Sequence, residues 1–231
     1  MSSVHESDGI QDGSRDDIRI TTFGKLLVER GGVPVEDFVS TKAALLFVYL
    51  ALHPGEHSRK KLAALLWSET SDEQALKNLR TVLSSVRQRV GDALDVSHDD
   101  LAIRGDVFVE VDARQFEEGY RKLIASAGAL TRLQALQSLE ALYQGEFLAG
   151  IIVRDAYSLE EWMDERRRQL SALYSRLLLD IVEIALRQGS YTAGLDYAWK
   201  LVHHDPLHDA AQRHLMRLLA YTNRANGALM Q

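Results

Sequence analysis

Apolar positions recur along this chain in two periods, and the change between them divides it. From Ile18 to Phe38 the spacing is close to two. IRITTFGKLLVE alternates imperfectly, the Gly31-Gly32 pair makes a turn, and VPVEDF alternates again. This pattern predicts a small antiparallel β unit that needs a helical partner to bury its apolar face. Three helical stripes follow. Residues 41–53 align Ala44, Leu45, Val48, Tyr49 and Leu52 and stop at Pro54-Gly55. Ser58 stands as the N-cap of a short helix, RKKLAALLW, and Ser71 with Gln74 forms a capping-box pattern for a longer helix reaching Val90 before Gly91. Short runs around residues 94–96, 101–104 and 107–111, with turn residues His98-Asp99-Asp100 and Gly105-Asp106 between them, predict a hairpin. From Asp112 the period is helical to the end. Helices are expected near residues 113–126, 131–142, 158–188, 191–203 and 207–221, with breaks at Gly128, residues 145–150, Gly189 and Asp205-Pro206.

The predicted fold class is mainly α with small β elements, and composition agrees. There are three prolines in 231 residues, and Leu, Ala, Arg, Glu and Gln are abundant. Zero cysteines exclude disulfides, Fe–S clusters, zinc fingers and thiol nucleophiles. No apolar run approaches the roughly 20 residues needed to span a bilayer, and the N-terminus lacks the apolar core of a signal peptide, so a cytoplasmic protein is expected with no membrane partner. The formal net charge is −6, of which residues 1–17 contribute −4 through Glu6, Asp8, Asp12, Asp16 and Asp17 against Arg15. That opening is too polar to offset the entropy of ordering it and is expected to be a disordered acidic tail. The remaining division is a domain over residues 18–111 and a helical domain over residues 112–231.

An internal repeat marks the second domain. A shift of 34 residues pairs RQGSYTAGL (187–195) with YTNRANGAL (221–229), and 34 is the tetratricopeptide period. In the better copy Ala185, Gly189, Tyr191, Ala198 and Pro206 fall where such a unit wants small residues for close helix contact and a proline at the exit turn. The second copy stops at Gln231 partway through a helix, as expected of a fragment truncated from a longer protein.

The chemistry concentrates in residues 59–89, which carry Arg59, Lys60, Lys61, Lys77, Arg80, Arg87 and Arg89 against Glu69, Asp72 and Glu73, a net +4 in an acidic chain. On the third helix Leu76, Leu79, Leu83, Val86 and Val90 form the core stripe. That leaves Lys77, Arg80, Thr81, Ser84, Arg87 and Gln88 pointing outward. Such a face suits the major groove: long cations reach phosphates and guanine edges, while small hydroxyl residues let the helix approach the bases. On charge alone, an ordinary solvated face explains the pattern about equally well.

The order IRITTFGKLLVERGGVPVEDFVSTKAALLFVYLALHPGEHSRKKLAALLW, then NLRTVLSSVRQRVG, then a hairpin leading into VDARQFEEGY, resembles the N-terminal half of actinomycete antibiotic-regulatory activators. YQGEFLAG and the long segment from EEWMDERRRQL to NRANGAL resemble their activator domain. The resemblance implies a response-regulator-type winged helix-turn-helix domain followed by a bacterial transcriptional activator domain of tetratricopeptide-like helices. It further implies that helix 72–90 enters the major groove of double-stranded promoter DNA, with Lys77, Arg80, Thr81, Ser84 and Arg87 as contacts. The hairpin of residues 94–109 is then the wing, with Arg104 and His98 near the backbone or minor groove. The helical repeats are then implied to serve dimerisation, RNA polymerase contact or signal reception, with RNA polymerase and a second copy of the chain as protein partners. The acidic wing loop and the net charge depart from a strongly basic DNA binder and imply modest affinity unless the protein dimerises. They keep open a second reading, a protein-interaction module that does not bind DNA, forming the N-terminal part of a larger nucleotide-hydrolysing switch.

Nothing predicts an enzyme or a cofactor. No GxxxxGK[ST], GxGxxG, GxSxG or HExxH is present. His203, His204 and His208 cluster near Asp205, but Pro206 interrupts the helix that would align His204 with His208, so no metal site is expected. Trp162 is expected in a helix packing seam.

Overall fold

The computed structural model describes residues 17–125 and 129–229. The tail of residues 1–16, the break at Gly128 and the terminal Met230-Gln231 lie outside the described residues. The first β unit comprises β1 (Ile18–Thr21), β2 (Leu27–Arg30) and β3 (Val33–Pro34). The three-helix stretch follows as α1 (Thr41–Leu52), β4 (His57–Ser58), α2 (Arg59–Leu66) and α3 (Asp72–Val90). After one 3-10 turn at Gly91–Ala93 come β5 (Leu94–Val96), β6 (Asp100–Ile103) and β7 (Val109–Val111). The helical half is α4 (Asp112–Ala125), α5 (Ala129–Glu140), α6 (Tyr157–Gln188), α7 (Tyr191–His204) and α8 (Asp209–Leu229). The fold is mainly α with small β elements: a winged helix joined to helical repeats. No described helix is long and apolar enough to cross a membrane.

The expected hairpin over residues 94–111 is divided between two sheets. β5 and β6 pair antiparallel, Leu94 opposite Ile103 and Val96 opposite Leu101, and β4 joins their edge. β7 leaves this wing and runs parallel to β1, Ile18 opposite Val109 and Ile20 opposite Val111, completing the order β3-β2-β1-β7. Val109 and Val111 are buried on the face that also carries Ile18 and Ile20. That apolar face explains why β7 leaves for the first sheet and does not extend the wing.

Helix ends differ in detail from expectation. Ser40 caps α1 by accepting from the Ala43 N–H. Ser58 makes no capping bond, because it lies in β4 and the Arg59 N–H is taken by the Asp99 carbonyl. Ser71 accepts from the Gln74 N–H, yet the Gln74 amide donates to Asn78 and does not reach back, leaving half a capping box. α6 ends as a left-handed cap: Gly189 has φ 72°, and the Ser190 N–H reaches the Ala185 carbonyl. α8 starts two residues later than expected and continues to Leu229.

One apolar core runs through both halves, from Ile18 and Phe47 to Leu177 and Leu201. Residues 22–24 lie against residues 146–149: the Leu148 N–H donates to the Thr22 carbonyl, the Gly24 N–H to the Glu146 carbonyl and the Ala149 N–H to the Gly24 carbonyl. Gly145, at φ 156°, sits so near Gly24 that a Cβ would lie 3.3 Å from the Gly24 Cα. Trp162 of α6 occupies the seam with its ring 5.2 Å from Tyr49, 5.9 Å from His53 and 5.9 Å from Phe147. In the best repeat copy, Gly194 lets α7 close on Ala185 and Leu218, and Ala198 is fully buried. In the second copy the side chains beyond Thr222 lie outside the described residues, though Tyr221 stacks on Tyr191 at 4.7 Å.

The seam makes stability sensitive to acid. His53 is half-buried, and its Nδ1 lies 2.8 Å from the Tyr49 carbonyl. Burial pushes its pKa down, aided by Arg166 and His57 and opposed by the Tyr49 carbonyl and Glu117. Burial likewise lowers His214 of α8, where Glu183 opposes it. Both imidazoles therefore take a proton less readily folded than unfolded, and the stability they contribute is present above pH about 6.5 and lost as pH falls below it. Urea unfolding from pH 8 to pH 5 should show this decline, shallower in His53→Gln; an unchanged pH slope in that variant would count against the assignment.

Candidate nucleic-acid interface

α3 presents two unlike faces because its apolar residues recur every three or four positions. Ala75, Leu79, Val82, Leu83, Val86 and Val90 are buried and Leu76 is half-buried, a wider stripe than the spacing alone indicated. Lys77, Arg80, Thr81, Ser84, Arg87 and Gln88 are exposed on the opposite face. The helix is stabilised by Asp72 and Glu73 in its first turn and Arg87 and Arg89 in its last, each complementing the local end of the dipole.

Two shallow grooves flank the exposed face. On one side α3 meets the start of α2 and the wing, a cleft of about 450 Å³ lined by Arg59, Arg80, Ser84, Arg87, Gln88 and Asp92 among others. Arg59 builds this side. Its guanidinium donates to the Ser97 and His98 carbonyls at 3.2 and 3.4 Å, and its backbone N–H donates to Asp99, so the wing turn is held against α2. On the other side the loop carrying Asp37 and Val39 lies along Thr81, Ser84, Ser85 and Gln88, with the Val39 N–H donating to the Ser85 hydroxyl. Sequence reading counted Arg59 in a charge total without placing it here, and it missed the Asp37 to Val39 loop. The only local sign of that loop is its position before the Ser40 cap.

The cations of this region differ in what they already hold. Among the described residues Lys77, Arg80 and Arg87 make no ion pair, and Thr81 bonds only the Lys77 carbonyl. Arg104 lies on the wing and grips Asp106 through two hydrogen bonds, one of 2.9 Å. That grip holds the Asp106 carboxyl below its ordinary range and raises the Arg104 guanidinium. His98, fully exposed at the wing tip, is paired with Asp99. On the helical half Arg166 pairs with Glu117, Arg168 with Glu165 and Lys200 with Glu140. Thus the cations of the α3 face have no ion-pair partner among the described residues. His203, His204 and His208 converge on nothing: His203 bonds its own helix, His204 meets Ser171, and no cluster of three metal-ligating side chains occurs among the described residues.

A winged helix whose third helix turns a cationic face outward is joined to stacked helical hairpins. The chain belongs to the bacterial transcriptional activator domain family, whose model matches residues 111–231, about half of its length. Its fold is similar to that of Mycobacterium tuberculosis EmbR in complex with a low affinity phosphopeptide, with a TM-score of 0.67 and 16% identity. The match covers 93% of this chain and 57% of that one, so the chain spans little more than half the length of that structure. No curated protein matches.

Proposed function

We propose that the protein is a non-enzymatic transcription activator that reads double-stranded promoter DNA by laying α3 in the major groove. The observation that carries this is the exposed row of Lys77, Arg80, Ser84 and Arg87 along one helix face, whose cations have no ion-pair partner among the described residues, whereas Arg104 of the wing is paired with Asp106. Guanidinium groups at Arg80 and Arg87 suit the O6 and N7 acceptors of guanine, and Thr81 and Ser84 are small enough to let the helix axis approach the base edges. The wing plays a lesser part: its tip is Asp99 and Asp100, and Arg104 is committed to Asp106. Arg59, at the start of α2 and lining the adjoining groove, is better placed to meet phosphate. The α4 to α8 repeats serve contact with RNA polymerase or with a second copy, and a second copy would raise affinity by placing two helices on adjacent half-sites.

The acidic wing tip favours one competing reading, a partner-binding module with no DNA role. The two separate in a binding assay with a pool of random duplexes. Major-groove reading predicts that log K falls linearly with log salt and that methylating guanine N7 weakens binding; minor-groove or protein-only recognition is insensitive to that methyl group. Salt-independent binding, or none at low salt, would replace the DNA reading with the partner-binding one.

A further inference from the structure

We propose that Gln74 reads an adenine in the major groove and that Asn78 holds it in the reading orientation; this rests on the reading above, in which α3 lies in that groove. The two residues fall one turn apart in the first half of α3, the part of a recognition helix that meets base edges in helix-turn-helix docking. At about 100° per residue they form one flank of the outward face, with Arg80 and Arg87 on the opposite flank and Lys77 and Ser84 between them. Gln74 is exposed and Asn78 half-buried.

The Gln74 side chain is available because its capping box is only half made. Its amide does not turn back to the backbone of Ser71; Nε2 donates to Asn78 Oδ1 at 2.8 Å instead. That bond fixes which end of the amide is which, since an unanchored glutamine rotates to exchange an oxygen and a nitrogen of nearly the same shape. One N–H of Nε2 is committed to Asn78, and no other bond holds this amide among the described residues. The second N–H and the Oε1 acceptor therefore remain side by side. Adenine alone matches both: Oε1 accepts from its N6, and Nε2 donates to its N7. Guanine offers two acceptors there, cytosine one donor, and thymine one acceptor and a methyl group. Gln74 is thus a specificity residue on the flank away from the two arginines, and Asn78 is its positioning residue.

The test selects duplexes from a randomised pool with the full chain and with its Gln74→Ala, Gln74→Glu, Asn78→Ala and Asn78→Asp variants. The parent should enrich an adenine at a fixed distance from its guanines, preferred over other bases by about 5-fold to 100-fold. Gln74→Ala should lose that preference and keep the guanines. Gln74→Glu, left with acceptors alone, should move it to cytosine, whose N4 donates. Asn78→Ala should flatten the preference, and Asn78→Asp, which still accepts from Gln74, should restore it at lower overall affinity. An i, i+4 bond that only steadied the helix would leave base preference untouched, so variants that all select the parent's motif overturn the assignment while the major-groove reading stands. Loss of the guanines together with the adenine in Gln74→Ala overturns it too, by giving Gln74 a structural role. A parent that enriches no motif overturns both readings.

Discussion

Replacing Asp112 by Ala should destabilise the chain by about 3 to 5 kcal/mol, the largest loss expected from any single truncation outside the apolar core. The Asp112 carboxylate accepts from the Thr22 N–H at 2.8 Å, the Thr22 hydroxyl at 2.5 Å, the Phe23 N–H at 2.9 Å and the Ala113 N–H at 2.7 Å. Thr22 is fully buried, so its donors have no water to turn to when the carboxylate is removed. Each buried donor left unpaired costs about 1 to 3 kcal/mol, and the first turn of α4 loses a further cap worth about 1 kcal/mol. Asp112→Asn, which keeps one acceptor oxygen, should lose less. The loss should appear in one cooperative urea transition, because Asp112 joins the end of β1 to the start of the helical half. A loss below about 1 kcal/mol in the Ala variant would show that these bonds are replaced by water, contrary to the burial of Thr22.

The second large effect is on binding. Arg80→Ala with Arg87→Ala should weaken association with the best duplex by about 30-fold or more, since each well-placed arginine contact to guanine is worth about 1 to 3 kcal/mol. Thermal stability should hardly change, because both side chains are exposed and hold no partner among the described residues, and such surface changes stay within about 0.5 kcal/mol. An unfolded double variant would instead place these residues in the structural framework. A folded one that binds as tightly as the parent would remove α3 from the interface.

Apolar spacing made α3 and the long α6 visible in the sequence, because each buries an apolar stripe, whereas α1 is buried on nearly all sides and its spacing showed only part of that face. It could not show what a stripe packs against. β7 was placed in the wing since it follows a turn at Gly105-Asp106; its actual partner, β1, lies some 90 residues earlier and has no local turn to announce it. Asp112 was read only as the place where the period changes, because a carboxylate that collects donors 90 residues away has no signature in spacing. The α3 face was legible as a set of residue types, and charge counting stopped there: it could not distinguish Arg104, held by Asp106, from Arg80 and Arg87, held by nothing among the described residues. Arg59 escaped for a related reason, since its role depends on the Ser97 and His98 carbonyls of a different element.

The central claim, that α3 reads base sequence, is tested most directly by selecting duplexes from a randomised pool with the full chain at about 150 mM salt, beside the folded Arg80→Ala/Arg87→Ala variant. The account predicts that the parent alone enriches a shared motif with guanines in it, recurring at about one helical turn if two copies bind together. Equal recovery of all sequences by both proteins, or enrichment of the same motif by the variant, would contradict it.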